Sequence, residues 1–376
     1  MFLKLPFYNP KTTIKDLVKS FFLKDVQKKL VSFLQNYFKK ENIVLLKSAR
    51  QGIKLALEFL KLEKGEEVIT SSFICSVVPE AVVRAGGKPV FCDIEKNGFN
   101  MDIKSTRKLV SPRTRAIILS YVFGIPAPVD EFLSLCKEKN LILIEDCAQS
   151  FGAKYKNKLL GTFGEFSVFS FGISKNIGGL GGGFLISKKK QTKTLKPAPF
   201  SFKKQLEFLL IPLVFNKYFY WIFSSFVEKY GDMRRVKGND KEFVSSILKQ
   251  EVKIAFLQLK RYKKNMQLRN KNTIIYQQDL KDVFSFIKVL EGGFPAYPYF
   301  PVFAPQKIFN ILKSKNVPVR RIGFGELDKD AKFGSFNFLN FNEKKIQSNY
   351  FLLPLNHSSK EVRNICRKIK QIVKKC

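Results

Sequence analysis

Histidine is almost missing from this chain, with one residue in 376. A histidine-ligated metal centre needs several, and a Ser-His-Asp hydrolase needs its base in a defined place, so both are nearly excluded. Cysteine is sparse too. The six residues, Cys75, Cys92, Cys136, Cys147, Cys366 and Cys376, form no Cys-x-x-Cys pair and show no metal spacing. Most lie in apolar runs, as reduced core thiols do, which points to a reducing compartment and away from a disulfide scaffold. Acidic residues are also in short supply, 31 against 67 basic, which leaves a formal net charge of +36. Such an excess suits nucleic acid, a membrane surface or anionic small molecules. The lysines are spread along the whole chain, however, with no nucleic-acid-binding motif, so a solvated surface accounts for them equally well. The N-terminus lacks an apolar run long enough for a signal peptide, and a cytoplasmic protein is expected.

Apolar residues make up 45% of the chain and charged residues 26%, the balance of a globular protein rather than a disordered one. The length predicts one large domain or two unequal ones. Residues 1–40 mix lysines with Phe and Leu and read as one or two basic amphipathic helices. From residue 48, helix and buried strand alternate. Helices are expected over 48–62, 76–87, 102–110 and 129–140, and strands over 66–72, 88–94, 115–124 and 141–149. These strands are too apolar to face water, so they predict a parallel sheet covered on both faces. Residues 165–187 read as strand, glycine-rich loop and strand. A helical region over 246–280 follows, then short strands and a basic helix from Ser359 to Cys376. The expected class is α/β: a large domain over 1–240 with a mixed, mostly parallel sheet, and a smaller α+β domain over 241–376.

The stretch 204–230 holds the only Trp and is dense in aromatic residues. Pro212, Glu207, Asn216 and Lys217 interrupt it and argue against a membrane span. A helical pair packed on the large domain or in a dimer interface fits the composition. So does a hairpin resting on an anionic membrane surface.

Three features fall at the ends of successive strands. Asp146 and Gln149 close LILIEDCAQS, Ser170 and Lys175 lie in FSFGISKN, and GGLGGG follows at once. Ligands of open α/β sheets bind beyond the carboxyl ends of the strands, so these residues could share one pocket. The set suits pyridoxal phosphate chemistry. A lysine past a strand end can form a Schiff base with an aldehyde, and a buried acid can keep a pyridine nitrogen protonated. Ser170 can sit beside a phosphate, and SARQG at a helix start offers backbone N–H groups from Ala49 onward plus the cationic Arg50. Taken singly, each has an ordinary reading: a surface lysine, a helix cap, a turn. Their order and spacing together are far more specific.

SARQGIKLAL, AGGKPVFCDIEKNGFNMD, LILIEDCAQSFGAKYKNKLLGTFGEFSVFSFGISKN and LGGGFLIS resemble the DegT/DnrJ/StrS-type sugar aminotransferases. The likeness runs from about 45 to 187 and thins from 246 onward. It implies a fold-type I pyridoxal phosphate enzyme. That enzyme would move an amino group, from L-glutamate, to a nucleotide-linked keto sugar, and it would work as a homodimer without nucleic acid. By the same resemblance Lys175 carries the Schiff base and shuttles the proton, Asp146 partners the ring nitrogen, and Gln149 lies beside the ring hydroxyl. Ser170, Ala49 and Arg50 hold the phosphate.

Four positions depart from the family pattern. The ring-stacking place falls on Cys75, or on Phe73 if the register slips by two. Arg50 replaces a threonine, Tyr121 a histidine, and FVSS over 243–246 stands where an Asn-x-Arg segment reaches a neighbour's phosphate. The last departure puts the neighbour's contribution in doubt and keeps open a non-catalytic or regulatory protein on the same scaffold. A sugar dehydratase is disfavoured because Lys175 is present. His357 reads as an ordinary loop histidine, with a substrate contact as the sharper reading, and Cys147 reads as a packed small side chain.

Overall fold

A computed structural model describes residues 5–7, 12–189, 244–322 and 341–375, with Leu195, Leu210, Val214, Tyr220, Phe324 and Leu327. The expected boundary near 240 and nearly all of 204–230 lie outside these residues. Two helices open the chain. α1 (Ile14–Phe22) starts at a capping box, in which the Asp16 carboxylate accepts from the Thr13 N–H at 2.8 Å. α2 (Val26–Phe38) buries Val26, Leu30, Leu34 and Phe38, one residue per turn, against the sheet.

The sheet is formed by β1 (Ile43–Leu46), β2 (Glu67–Ser71), β3 (Lys88–Cys92), β4 (Thr114–Ser120), β5 (Ile142–Asp146) and, after a short hairpin of β6 (Lys154–Tyr155) and β7 (Lys158–Leu159), by β8 (Phe166–Ser170) and β9 (Gly183–Ser187). Its spatial order is β1-β9-β8-β5-β4-β2-β3. Strands β3, β2, β4, β5 and β8 run parallel; α3 (Ala49–Glu58) leads from β1 into β2, and α4 (Val77–Arg84), α5 (Ile103–Leu109) and α6 (Val129–Glu138) are the crossovers from β2 to β5. β9 returns antiparallel to β8, and β1 pairs antiparallel with β9. The α/β class is as expected, and the sheet is mixed because the glycine-rich loop turns the chain back on itself. β1 is the strand that hydrophobic pattern missed, being four residues long and merged with the helix start that follows it.

The strand expected over 115–124 stops at Ser120. Beyond it Phe123 and Gly124 take left-handed backbone, φ 54° and 72°. A side chain at Gly124 would also collide with the Ala296 carbonyl oxygen, and the Gly124 carbonyl accepts from the Ala296 N–H at 2.9 Å. Only glycine meets both demands.

The C-terminal part forms a second, antiparallel sheet of β10 (Ser285–Phe286), β12 (Tyr299–Phe303) and β13 (Tyr350–Pro354). Between them β11 (Gly293–Phe294) pairs with β6 of the hairpin. The helical region read over 246–280 is two helices, α7 (Lys249–Lys260) and α8 (Tyr262–Leu280). After α9 (Gln306–Ser314) and α10 (Phe341–Gln347), the chain closes with α11 (Ser359–Val373), whose Val362, Ile365, Cys366 and Ile369 face the core. Every one of the largest fully buried side chains is Phe or Tyr. Each such burial stabilises by about 1.5–3 kcal/mol, so the abundance of Phe is spent on the interior. Among the described residues, no helix is long and apolar enough to cross a membrane.

Consecutive acids close β5, and alternation sends them to opposite faces. Glu145 is fully buried. Its carboxylate accepts from the Tyr121 hydroxyl at 2.7 Å, from the N–H groups of Gly161, Phe163 and Gly164 at 2.7, 2.9 and 2.7 Å, and from the Ser167 hydroxyl at 3.0 Å. The return path from the hairpin into β8 is organised around this one anion. Glu145→Gln puts an amide donor among donors and should destabilise the protein by about 3 kcal/mol. Urea unfolding reads this directly, and a midpoint equal to wild type would show that the carboxylate orders nothing.

Candidate active site

A cavity of about 470 Å³ opens where β4, β5 and β8 end and α3 begins. The β-to-α turns place its polar groups. Asp146, the last residue of β5, accepts the Ala148 N–H at 3.0 Å and the hydroxyl of Ser120, the last residue of β4, at 3.1 Å. Burial pushes its carboxyl pKa up, while the Ala148 N–H, the nearby Lys175 and the Ser120 hydroxyl pull it back. Gln149 lies on the same rim, and its Oε1 accepts from the Phe123 N–H at 3.2 Å. Ser170 ends β8. Its Oγ accepts from the Gly172 N–H at 3.2 Å, which leaves its proton to donate.

Lys175 enters the cavity from the loop between β8 and β9. Contacts from distant parts of the chain pin this loop. The Tyr299 hydroxyl donates to the Ser174 carbonyl, and Arg269 donates to the Asn176 carbonyl. The Asn176 amide donates to the Ala296 carbonyl. Thr12 donates to the Gly178 carbonyl at 3.2 Å. Opposite the loop, Ser48 caps α3 by accepting from the Gln51 N–H at 3.3 Å, which turns the first-turn residues Ala49 and Arg50 to the cavity. Gly183 in β9 lets that strand pass under the helix start, where a Cβ would lie 3.1 Å from the Ala49 nitrogen.

All seven residues singled out in the sequence therefore line one cavity, Cys75 among them. Phe73, the alternative, does not line it. Phe73 is fully buried in a ring cluster, with Phe324 and Tyr350 each at 5.7 Å and Phe99 at 5.8 Å. Tyr121 also lines the cavity, with its hydroxyl engaged by Glu145; burial first, then that carboxylate, pushes its pKa well up. Cys147 is a packed thiol, its pKa pushed well up by burial.

His357 lies in the loop between β13 and α11, as its ordinary reading had it, and away from the cavity, but it is buried. It is 1% exposed, and its Nε2 lies 2.9 Å from the Pro6 carbonyl oxygen, tying the N-terminal segment down. The segment 244–246 packs against its own chain: Lys47 N–H donates to the Ser245 carbonyl and Ser245 N–H to Gln51 Oε1, each at 3.1 Å. Sequence reasoning passed over Lys47, Ser120 and Phe324, which also line the cavity. The strand-end rule that selected Asp146 selects Ser120 as well, whereas Phe324 carries no local signal.

Comparison with known proteins identifies the lineage. Residues 15–196, just under half of the chain, match the DegT/DnrJ/EryC1/StrS aminotransferase family model. It is 37% identical over 139 residues to the UDP-N-acetyl-3-dehydro-alpha-D-glucosamine 3-aminotransferase of Acidithiobacillus ferrooxidans, covering 37% of this chain and 38% of that one. It is 34% identical over 162 residues to the GDP-perosamine synthase of Escherichia coli, covering 42% and 44%. The matches thus span about two-fifths of the length of these relatives. Spr1654 of Streptococcus pneumoniae, solved in PLP and PMP forms, superposes over 99% of both chains with a TM-score of 0.79 for the PLP form at 18% identity. That likeness establishes the fold as the fold-type I aminotransferase fold.

The raised Asp146 pKa has a sign that can be checked. A carboxyl whose folded value lies above its ordinary 3.8 costs stability as pH rises from 3.8 through the folded value, because the unfolded chain gives up the proton first. Asparagine can keep the Ala148 N–H bond through its oxygen and reverse the other, its amide donating to the Ser120 hydroxyl, without the charge. In the absence of added ligand, Asp146→Asn should unfold at a higher urea concentration than wild type near neutral pH. The gap should close as pH falls toward the ordinary carboxylate range. A less stable variant at neutral pH would mean that a partner outweighs the burial.

Proposed function

We propose that this protein is a pyridoxal phosphate-dependent aminotransferase that moves an amino group, from L-glutamate, to a nucleotide-linked keto sugar. The observation that carries the reading is the meeting, in one cavity, of a lysine amine, a buried carboxylate and a serine-capped helix start. These donors and acceptors fit the cofactor: an amine for its aldehyde, an acid for its ring nitrogen, and hydroxyl, guanidinium and N–H groups for its phosphate. Bound there, pyridoxal phosphate would supply an electron-withdrawing ring.

The side chains do the rest. Asp146 holds a proton on the ring nitrogen; its burial makes an opposite charge there favourable, since it relieves the cost of an unpaired carboxylate. Ser120 and the Ala148 N–H fix its orientation. Lys175 would tether the cofactor, and its amine, on a pinned loop, would be placed to carry the proton that has to be moved. Gln149 would take the ring hydroxyl, and Ser170, Ala49 and Arg50 would hold the phosphate. Cys75 presents a small polarisable surface to the ring in place of an aromatic side chain. The activities for which the relatives are named, one on a UDP-linked and one on a GDP-linked sugar, support a nucleotide-linked acceptor without choosing the base. The homodimer belongs to the same proposal.

Purified protein should carry a covalently bound chromophore that borohydride fixes onto the peptide containing Lys175; label on another lysine sinks the assignment. Lys175→Ala should lower turnover by at least about a thousandfold, through loss of both tether and proton carrier. A panel of nucleotide-linked keto sugars with L-glutamate, followed by 2-oxoglutarate release, tests the substrate class. Release with none of them would overturn it.

A further inference from the structure

The cavity holds more positive charge than its own acid balances. Lys47, Arg50 and Lys175 line it, and Asp146 is the one acid that lines it among the described residues. Asp146 and Lys175 attract each other. Among the described residues, the side chains of Lys47 and Arg50 have no carboxylate and no hydrogen-bond partner, although both are half-buried. They flank Ser48, the cap of α3, at the positive end of that helix, and the first turn of α3 contains no acid. Two cations beside each other at a helix N-terminus repel both one another and the helix dipole. Ordinary helix design places them at the other end. A local choice that works against stability in this way signals an anion that the site is built to receive.

Resting on the pyridoxal phosphate reading, we infer that Lys47 and Arg50 form a clamp, supplied within this one chain, that neutralises the phosphate of the cofactor. Lys47 is its unassigned half. A phosphate monoester carries close to two negative charges at neutral pH, which two cations match. The division of labour follows from the side chains. Arg50 can grip two phosphate oxygens through its planar fork, and Lys47 adds a compact point charge. The geometry keeps Lys47 in place: its backbone N–H is held by the Ser245 carbonyl at 3.1 Å, directly after β1 ends. The half-burial of both cations excludes part of the competing solvent and strengthens their pull on the phosphate.

The test compares pyridoxal phosphate with pyridoxal, which lacks the phosphate, by spectroscopic titration of the cofactor-free protein. Wild type should prefer the phosphorylated compound. Lys47→Gln and Arg50→Gln should each weaken pyridoxal phosphate about tenfold or more while leaving pyridoxal within about twofold. Lys47→Arg should restore the preference. Without ligand, Lys47→Gln should raise the urea midpoint, because it removes the repulsion. Equal loss for both compounds makes Lys47 a merely structural residue and overturns the clamp, as does loss for neither. If Lys47→Gln spares pyridoxal phosphate but weakens binding of a nucleoside diphosphate to the loaded enzyme, the cation serves the substrate and the clamp is again overturned. Wild type that binds neither compound overturns the cofactor reading itself, a failure distinct from the others.

Discussion

The placement of Lys175 depends on a polar seam along α8. Arg269 is fully buried, and among the described residues no carboxylate faces it; burial pulls its pKa down. It donates instead to the Asn176 carbonyl in the lysine loop and to Asn356 Oδ1 at 3.0 Å just beyond β13. One turn on, Asn272 donates to the carbonyls of Leu355 and His357 at 2.9 and 2.8 Å, and a further turn on the Tyr276 hydroxyl donates to Pro354 at 2.9 Å. A buried cation held by neutral oxygens, one backbone carbonyl and one side-chain amide, is costly and therefore demands its geometry. Through it, the end of the second sheet, α8 and the lysine loop share one position. The cavity is completed by the first sheet, but its reactive amine is aimed by the second.

The pair of acids at the end of β5 shows how strand alternation divides labour. Glu145 collects five donors on one face and fixes the backbone that leads into β8. Asp146, next in line, receives two on the other face and keeps acceptor capacity for a ligand. Neighbouring residues of the same chemical type thus serve as a structural anion and a functional one, and the difference lies wholly in how many donors each has met.

Much of this was legible in the residues. The alternation of apolar strands and helices from 48 to 187 gives the sheet, because strands buried on both faces must be continuous apolar runs. The strand-end rule then gathers Asp146, Ser170 and Lys175. What was hidden shares a physical cause: it depends on partners remote in sequence. α8 looks like an undistinguished polar helix until its buried face is seen to meet backbone 78–93 residues away. Phe324 is held beside the cavity by ring contacts with Phe73 and Phe123. The role proposed for Lys47 rests on the partners it lacks among the described residues, and a sequence does not display an absence. β1 was lost because four residues are too few to show a period.

The tie between His357 and the Pro6 carbonyl spans 351 positions. Beside it Phe7 is nearly buried, with its ring 5.0 Å from that of Tyr299. The segment before α1 is therefore seated on the loop that follows β13, so its docking presupposes that the second sheet has already formed.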